Sequence, residues 1–275
     1  MDEYLNVNRA NWNERAPVHA ASRFYNLDRY AEDPTALSSI VQFDVPRLGD
    51  ITGSRGVHLQ CHIGTDTVSL SRLGAHMTGL DFSAASIAEA RKLAERIGDD
   101  TEFVESDVYH AVDVLGRERF DLVFTGIGAL CWLPDIRRWA DVVASLLKPG
   151  GRLFMREGHP MLWAIDERHL DRLVVDYPYF ETPEPIVFAD PSTYVETDVT
   201  LEHQVTHSWN HGLGEIVSAL LDVGLTVTQL VEHDTVPWEA LPGLMEQVGE
   251  LKEWRLVERP ERVPMTYTLQ AVKPA

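Results

Sequence analysis

Residues 56–82, GVHLQCHIGTDTVSLSRLGAHMTGLDF, decide the fold of this chain. Gly56–Cys61 has the short apolar pattern of a buried strand, and a turn at His62–Gly64 follows it. The next residues, from about Asp66 to Leu73, have the pattern of a helix. A second strand, His76–Phe82, ends in an acidic residue. A strand, a loop, a helix and a strand in this order predict the nucleotide-binding part of a parallel α/β sheet.

The same alternation continues to residue 158 and then stops. Further strands are predicted at 102–107, 120–127 and 152–157, and helices at 83–98 and 136–147. The sequence from 159 to 212 is rich in Pro, Tyr, Trp and His, with one strand-like run at Thr193–Ser208. A helix at Leu213–Gly224 and two closing strands, Thr226–Glu232 and Thr266–Val272, complete the pattern. We therefore predict an α/β fold with a parallel sheet.

The domain organisation follows from these changes in composition and in the pattern of strands and helices. We predict one domain over 1–275, made of a helical leader (1–50), a cofactor-binding core (51–158), an insertion covering the acceptor (159–212) and a C-terminal helix with closing strands (213–275).

Composition limits the possible partners. The chain has a net charge of −19, and nucleic-acid or anionic membrane surfaces attract basic proteins, so neither partner is expected. Its two cysteines, Cys61 and Cys131, lie in apolar contexts and indicate neither a disulfide framework nor a zinc cluster. The polar N-terminus and the lack of a long apolar run predict a cytoplasmic protein. Its oligomeric state is left open between a monomer and a homodimer, in which the strand-like run at 193–208 could pair between subunits.

Three consecutive strand ends predict an adenosine site. The loop HIGTDT opens a helix, whose free N–H groups favour an anionic group. Asp81 ends the second strand, where an acid can accept hydrogen bonds from both ribose hydroxyls, and Asp107 ends the third, near an adenine amino group. Each acid could instead cap the helix that follows it. The three features together favour an adenosine bearing a short polar tail.

These residues resemble the class I S-adenosylmethionine-dependent methyltransferases over roughly 56–158, with an extension to 213–273. More narrowly, LQCHIGTDTVSLSRLGAHMTGLDFSAASIAEARKLA resembles a bacterial group with a Cys-His-x-Gly-x-Asp-Thr loop. The resemblance implies a Rossmann-like, mostly parallel sheet of seven strands, with helices on both faces and an antiparallel terminal hairpin. The family's loop has an acid and then three alternate glycines. We align Gln60 with the acid, His62 with the first glycine and Asp66 with the last, so that only Gly64 is kept.

The resemblance also implies a set of site residues, with S-adenosylmethionine as cofactor. The leader would fold over the cofactor, and the loop, strand ends and segment after the fourth strand would hold it. The cofactor-binding residues implied are Trp12, Tyr25, Gln60, Cys61, His62, Gly64, Thr67, Asp81, Phe82, Ser83, Asp107, Val108, Thr125, Gly126 and Ile127.

The acceptor side is marked by polar and aromatic residues after the fifth strand. Methyl transfer to a hydroxyl or a protonated amine gains from a nearby base, and the candidates are Glu157, His159 and His211. Trp163 and Trp209 are the candidates for acceptor binding, although each of these residues could instead be structural. No metal site is predicted. The acceptor is expected to be a small molecule, an aromatic ring being one candidate, methylated on O, N or C.

Two alternatives stay open at this point. A nicotinamide-dependent oxidoreductase also needs a strand, a loop and an acid, but its Gly-x-Gly-x-x-Gly turn is absent here. A non-catalytic protein that binds an adenosyl ligand is the other. The sequence favours the methyltransferase.

Overall fold

A seven-stranded sheet carries the fold, as the sequence predicts. In the computed structural model, which describes residues 2–275, its strands are β1 (Arg55–Leu59), β2 (His76–Asp81), β3 (Glu102–Glu105), β4 (Phe120–Thr125), β5 (Leu147–Gly158), β8 (Thr226–His233) and β12 (Thr266–Val272). The spatial order is β3-β2-β1-β4-β5-β12-β8. The first five strands are parallel, while β12 runs antiparallel to both of its neighbours. The predicted Rossmann-like sheet with an antiparallel terminal pair is confirmed.

The remaining elements surround this sheet. Within residues 2–275, the helices are α1 (Asp2–Ala21), α2 (Asp28–Glu32), α3 (Ser39–Leu48), α4 (Thr65–Arg72), α5 (Ala84–Ile97), α6 (Ala111–Leu115), α7 (Ile136–Leu146), α8 (Pro160–Trp163) and α9 (Leu213–Asp222). The strands outside the main sheet are β6 (Ile186–Ala189), β7 (Val205–Ser208), β9 (Thr235–Val236), β10 (Met245–Val248) and β11 (Glu253–Leu256). Of the helices described, none is long and apolar enough to cross a membrane.

Alternation along the central strands produces two core layers. In β4, Val123 belongs to a cluster that includes Trp139 of α7, while Leu122 and Phe124 belong to a different cluster that includes Val41 of α3. Successive side chains of a strand point to opposite faces, so a strand buried on both sides becomes almost wholly apolar. This explains why the residues from 120 to 127 form a nearly continuous apolar run and do not alternate between apolar and polar side chains.

The leader is tied to the insertion by side-chain amides. Asn8 of α1 pairs with the backbone of His207, donating to its carbonyl at 2.9 Å and accepting from its N–H at 2.8 Å. Asn11 donates to the carbonyl of His203 at 2.6 Å, and Glu14 accepts from the backbone N–H groups of Glu202 and His203. The leader is therefore fixed over the carboxyl ends of the strands.

One prediction about the second half of the chain needs correction, and one small sheet there was not predicted. The strand-like run at Thr193–Ser208 is a strand only at Val205–Ser208, which pairs with β6. Residues 193–204 are irregular, because their backbone groups bond to the leader and to nearby turns. The sequence also gave no sign of the small antiparallel sheet β10-β11-β9. Its strands have two to four residues, too few to show a period.

One buried acid in α3 has an unusual environment. Asp44 is fully buried, and neither of its carboxylate oxygens has a hydrogen-bond partner among the described residues. The nearby Arg156 donates to the buried carboxylate of Glu253 at 2.6 Å. Burial raises the pKa of Asp44 to about 8, opposed by the charge of Arg156. The folded protein therefore favours the protonated form of this acid.

Replacing Asp44 should make the protein more stable at high pH. The folded pKa lies above the usual 3.8, so protonated Asp44 contributes stability at low pH that is lost as the pH rises towards 8. Asp44→Asn keeps the shape and removes the titration. We expect a gain of about 1 kcal/mol or more at pH 8–9, or roughly 2–4 °C in Tm, and a smaller gain at pH 5.

Thermal unfolding from pH 5 to pH 9 measures this effect. Asp100→Asn, which removes an exposed carboxylate in a loop, is the matched control and should show no such pH dependence. A change in Tm that is the same for Asp44→Asn at every pH would contradict the assignment.

Candidate functional site

An aromatic cavity of about 520 Å³ lies over the carboxyl ends of the central strands. Its wall combines residues of the leader, the strand ends, the insertion and the segment after β9. The aromatic residues of the wall are Tyr4, Trp12, Phe24, Tyr25, Tyr30, Phe82, Tyr109, Trp132, Trp163, Tyr177, Phe188, Tyr194, Trp209 and Trp238. In open α/β sheets, ligands bind at this edge, where the strand order reverses between β1 and β4.

The loop after β1 has left-handed residues at alternate positions. Gln60, His62 and Gly64 have φ angles of 58°, 51° and 81°. These are the conformations that glycine adopts most easily, so these residues occupy the places of the three alternate glycines. The alignment given above is therefore wrong by two residues. Gln60 takes the first glycine's place, Asp66 lies in the first turn of α4, and His58 takes the acid's place.

Side-chain contacts offset the cost of two non-glycine residues in this conformation, roughly 1–2 kcal/mol each. The Gln60 amide donates to the carbonyl of Ala129 at 2.8 Å, which ties the loop to the segment after β4. The His62 ring lies edge-on to Trp12, with centroids 5.1 Å apart. At Gly64 a side chain cannot fit, since a Cβ would lie 2.8 Å from Ala90 Cβ.

Asp81 joins the loop to the next strand. Its carboxylate accepts from the backbone N–H of His62 and of Ser83, both at 2.9 Å, and it lines the cavity. Burial raises the pKa of Asp81 to about 6, against the lowering effect of these hydrogen bonds. Ser83 caps α5 by accepting from the N–H of Ser86. A buried carboxylate held in this way can accept further hydrogen bonds from a ligand.

Asp107 combines a cap with a place in the cavity wall. Its carboxylate accepts from the N–H of Tyr109 at 3.0 Å and pairs with the His110 ring at 2.6 Å. The capping role that the sequence left open is therefore real. Asp107 and Val108 both line the cavity, so the cap does not remove the acid from it.

Glu157, predicted as a candidate base, holds the backbone instead. Its carboxylate accepts from the N–H groups of Gly128, Ala129 and Leu130 at 2.5, 2.8 and 2.8 Å, and from that of Gly158. It is buried and is not part of the cavity wall. Glu157 thus shapes the segment after β4.

The other two candidate bases also lie behind the wall. The His211 ring bonds to Glu181 at 2.7 Å through Nδ1 and to the Leu133 carbonyl at 2.8 Å through Nε2. His159 accepts from the N–H of Met161 and pairs with Glu232 at 2.9 Å. The His159 contact with Glu232 lacks the geometry of a hydrogen bond, but neither histidine is part of the cavity wall.

Most of the other predicted residues do meet in the cavity. Those in its wall are Trp12, Tyr25, Gln60, Cys61, His62, Asp81, Phe82, Asp107, Val108, Gly126, Ile127, Trp163 and Trp209. Those behind it are Gly64, Thr67, Ser83 and Thr125. Trp163 stacks on Trp238 with ring centroids 5.7 Å apart. The Trp163 ring fits beside residue 158 only because that residue is glycine, since a Cβ there would lie 2.6 Å from the ring.

Two cavity residues, His58 and Arg15, were not predicted although the sequence contains a pattern that indicates each of them. His58 would have been found by counting back from Gly64 in steps of two. Its ring bonds to the Thr67 hydroxyl at 2.9 Å, and Gly126 leaves room beside it. Arg15 lies one turn after Trp12 on α1 and lines the same cavity. Within the described residues, no group of three or more His, Cys, Asp or Glu could hold a metal ion.

The histidines around the loop are neutral at physiological pH. Burial lowers the pKa of His58 and of His62 to about 3. His19, whose ring bonds to that of His62 at 3.1 Å, has a pKa lowered to about 2, mainly by burial. Neutral rings, aromatic faces and carboxylates together favour a ligand with a positive charge near the loop.

Comparison with known proteins adds to this geometry. Residues 57–153 match the model of a methyltransferase domain. Ubiquinone biosynthesis O-methyltransferase from Cronobacter sakazakii is 35% identical over 109 residues, 39% of this chain and 44% of the relative, so this match spans less than half of that relative's length. The same enzyme from Escherichia coli O7:K1 is 28% identical over 239 residues, 80% of this chain and 97% of the relative.

Solved structures share the fold. An S-adenosylmethionine-dependent methyltransferase from Mesorhizobium loti has a TM-score of 0.53 at 21% identity, with 90% of this chain and 100% of that chain covered. The 1,6-didemethyltoxoflavin-N1-methyltransferase of Burkholderia thailandensis has a TM-score of 0.56 at 16% identity, with 100% of this chain and 90% of that chain covered. At these identities the likeness concerns the fold alone.

Proposed function

We propose that this chain is a class I S-adenosylmethionine-dependent methyltransferase whose acceptor is a small aromatic molecule bound in the cavity over the strand ends. The observation that carries the proposal is the aromatic wall next to the cofactor loop. The relatives named above are O-methyltransferases, which supports a hydroxyl oxygen as the accepting atom. The net charge of −19 supports a small molecule over nucleic acid, and we propose a cytoplasmic location.

We propose that the cofactor is held by the three strand ends. Asp81, with Phe82 beside it, would accept from the ribose hydroxyls, and Asp107 with Val108 would face the adenine. The loop Gln60–Gly64 would lie along the amino-acid end. The residues fit this group because Asp81 lines the cavity with its carboxylate and the buried Gln60 Oε1 has no partner among the described residues. When bound, the cofactor supplies an activated methyl group on a sulfonium.

The protein's contribution to the reaction is alignment and exclusion of water. In-line displacement needs the accepting atom opposite the leaving sulfur, an alignment that an aromatic wall around both ligands can enforce. Glu157 is proposed to act indirectly, by fixing the segment 128–130 beside the reacting atoms. His159 and His211 are proposed as structural residues, since both lie outside the cavity wall and contact other protein groups there.

A nicotinamide-dependent oxidoreductase is the less favoured reading. Its pyrophosphate would need close contact with a glycine-rich backbone at the start of the helix. Here two of the three left-handed residues carry side chains, and Asp66 places a carboxylate in the first turn of α4. The charge of that carboxylate opposes a pyrophosphate.

Cofactor choice is tested by ligand binding to the whole chain. We expect S-adenosylhomocysteine to raise the Tm and NAD or NADP to leave it unchanged, because a ligand stabilises the state that it binds. Asp81→Asn should weaken S-adenosylhomocysteine about tenfold or more in calorimetry, since one acceptor oxygen becomes a donor. Asp113→Asn, an exposed change on α6, is the control. Stabilisation by NAD alone would overturn the proposal.

The pH dependence separates the role of the carboxylate from a folding defect. Ionised Asp81 is the form that accepts from two hydroxyls, and its pKa is raised to about 6. Affinity of the wild type should therefore fall as the pH drops below 6, approaching tenfold per pH unit. The Asp81→Asn variant should be weak at every pH and lack this dependence. A wild-type affinity that stays constant down to pH 5 would contradict the ribose assignment.

The acceptor class is tested by transfer of a labelled methyl group. We expect label in phenols or catechols and none in aliphatic alcohols of similar size. Trp238→Leu should raise KM for the aromatic acceptor about tenfold, because a stacking partner in the wall is lost. Trp254→Leu changes a tryptophan outside the cavity wall and is the control. Label in aliphatic alcohols alone would contradict an aromatic acceptor.

A further inference from the structure

Arg15 is a cavity residue that the proposed function leaves without a role. It lies on the face of α1 that also carries Asn8 and Trp12, and all three line the cavity. Its guanidinium carbon is 5.4 Å from the centre of the Trp12 ring. Helix α1 therefore presents a cation to a cavity whose wall also includes several carboxylates.

The guanidinium of Arg15 has no polar partner among the described residues. Its Nε is buried without a hydrogen bond, and no hydrogen bond or ion pair is formed by its other nitrogens. The other arginine of the wall, Arg29, donates to the carbonyl of Leu37 at 2.5 Å and to the Tyr30 hydroxyl. Arg15 is thus the cation of the wall that remains available to a ligand.

The burial of Arg15 makes an unpaired guanidinium unfavourable for the stability of the protein when no ligand is bound. Burial lowers the pKa of Arg15, while Tyr194, Asp190 and Cys131 act in the opposite direction. Asp190 acts on Arg15 only through its charge: among the described residues no ion pair joins the two groups, and the Asp190 Oδ1 accepts from the N–H and the hydroxyl of Ser192 at 2.8 and 2.7 Å. Arginine stays charged when buried, and a buried cation without a partner destabilises the protein.

We propose that Arg15 binds a carboxylate of the bound ligand. A guanidinium matches a carboxylate with two parallel hydrogen bonds, and the rest of the wall is unfavourable for such a group. The inference rests on the proposed function, which offers two sources of this chemistry. One is the amino-acid end of the cofactor, and the other is a carboxylate on an aromatic acceptor.

The position of Arg15 favours the cofactor as the source. Trp12, one turn before it, contacts the ring of His62 in the cofactor loop and that of Trp132 after β4. The charge of Arg15 also acts on the pKa of His62, in addition to the larger effect of burial. Arg15 therefore lies near the loop proposed to hold the amino-acid end.

Calorimetry with two adenosine ligands tests the proposal. S-adenosylhomocysteine carries the amino-acid carboxylate, whereas 5′-methylthioadenosine has the same thioether and adenosine without it. We expect Arg15→Gln to weaken S-adenosylhomocysteine tenfold or more and to leave 5′-methylthioadenosine within twofold of the wild type. Arg15→Lys should recover part of the loss. Arg23→Gln, which removes an exposed cation close in sequence, is the control and should change neither affinity.

A second arm detects a carboxylate on the acceptor. On protein saturated with S-adenosylhomocysteine, 4-hydroxybenzoate and phenol are compared by thermal shift. A shift with 4-hydroxybenzoate that Arg15→Gln abolishes, with unchanged binding of both nucleosides, supports the proposal and assigns the acceptor as the source. Equal loss for both nucleosides, or no change for any ligand, would overturn it. A wild type that binds neither nucleoside contradicts the proposed function itself, and the inference with it.

Discussion

The hydrogen bond from the His62 N–H to the Asp81 carboxylate is the interaction on which the rest of the site depends. It connects the loop after β1 to the end of β2, while Ser83 donates to the same carboxylate. The loop is thereby held with Gln60, His62 and Gly64 left-handed, and α5 begins at the Ser83 cap. One buried acid thus fixes two elements and remains in the cavity wall.

The other walls of the cavity come from parts of the chain far apart in sequence. The Gln60 side chain donates to the carbonyl of Ala129 and so links the loop to the segment after β4. Glu157, a buried residue near the end of β5, accepts from the backbone N–H groups of that same segment. Across the cavity, α1 is held to residues 203 and 207 by Asn8 and Asn11, which places its cavity-facing side chains above the strand ends. The cofactor loop, the leader and the insertion therefore form one continuous cavity wall.

The fold was predictable from the sequence because strand and helix patterns are local. The strands through 158, the closing pair and the position of Asp81 all follow from short-range periodicity and strand ends. The alignment of the loop with the family's glycines could not be predicted. Gln and His rarely adopt positive φ angles, so their types do not indicate the left-handed conformations of Gln60 and His62. The bonds that hold Glu157 and His211 could not be predicted either, because the partners of a polar side chain are groups far away in sequence. The same holds for Arg15, whose lack of a partner is a property of the folded cavity.

We propose that a loop with a single glycine forms the cofactor site and that Asp81 anchors it. A crystal structure of the protein with S-adenosylhomocysteine tests this most directly. We expect both ribose hydroxyls within about 3.2 Å of the Asp81 carboxylate, with Gln60, His62 and Gly64 left-handed around the amino-acid end. A nucleoside bound away from Asp81, or a loop that changes its φ angles to admit it, would show that Asp81 and this loop conformation do not form the site.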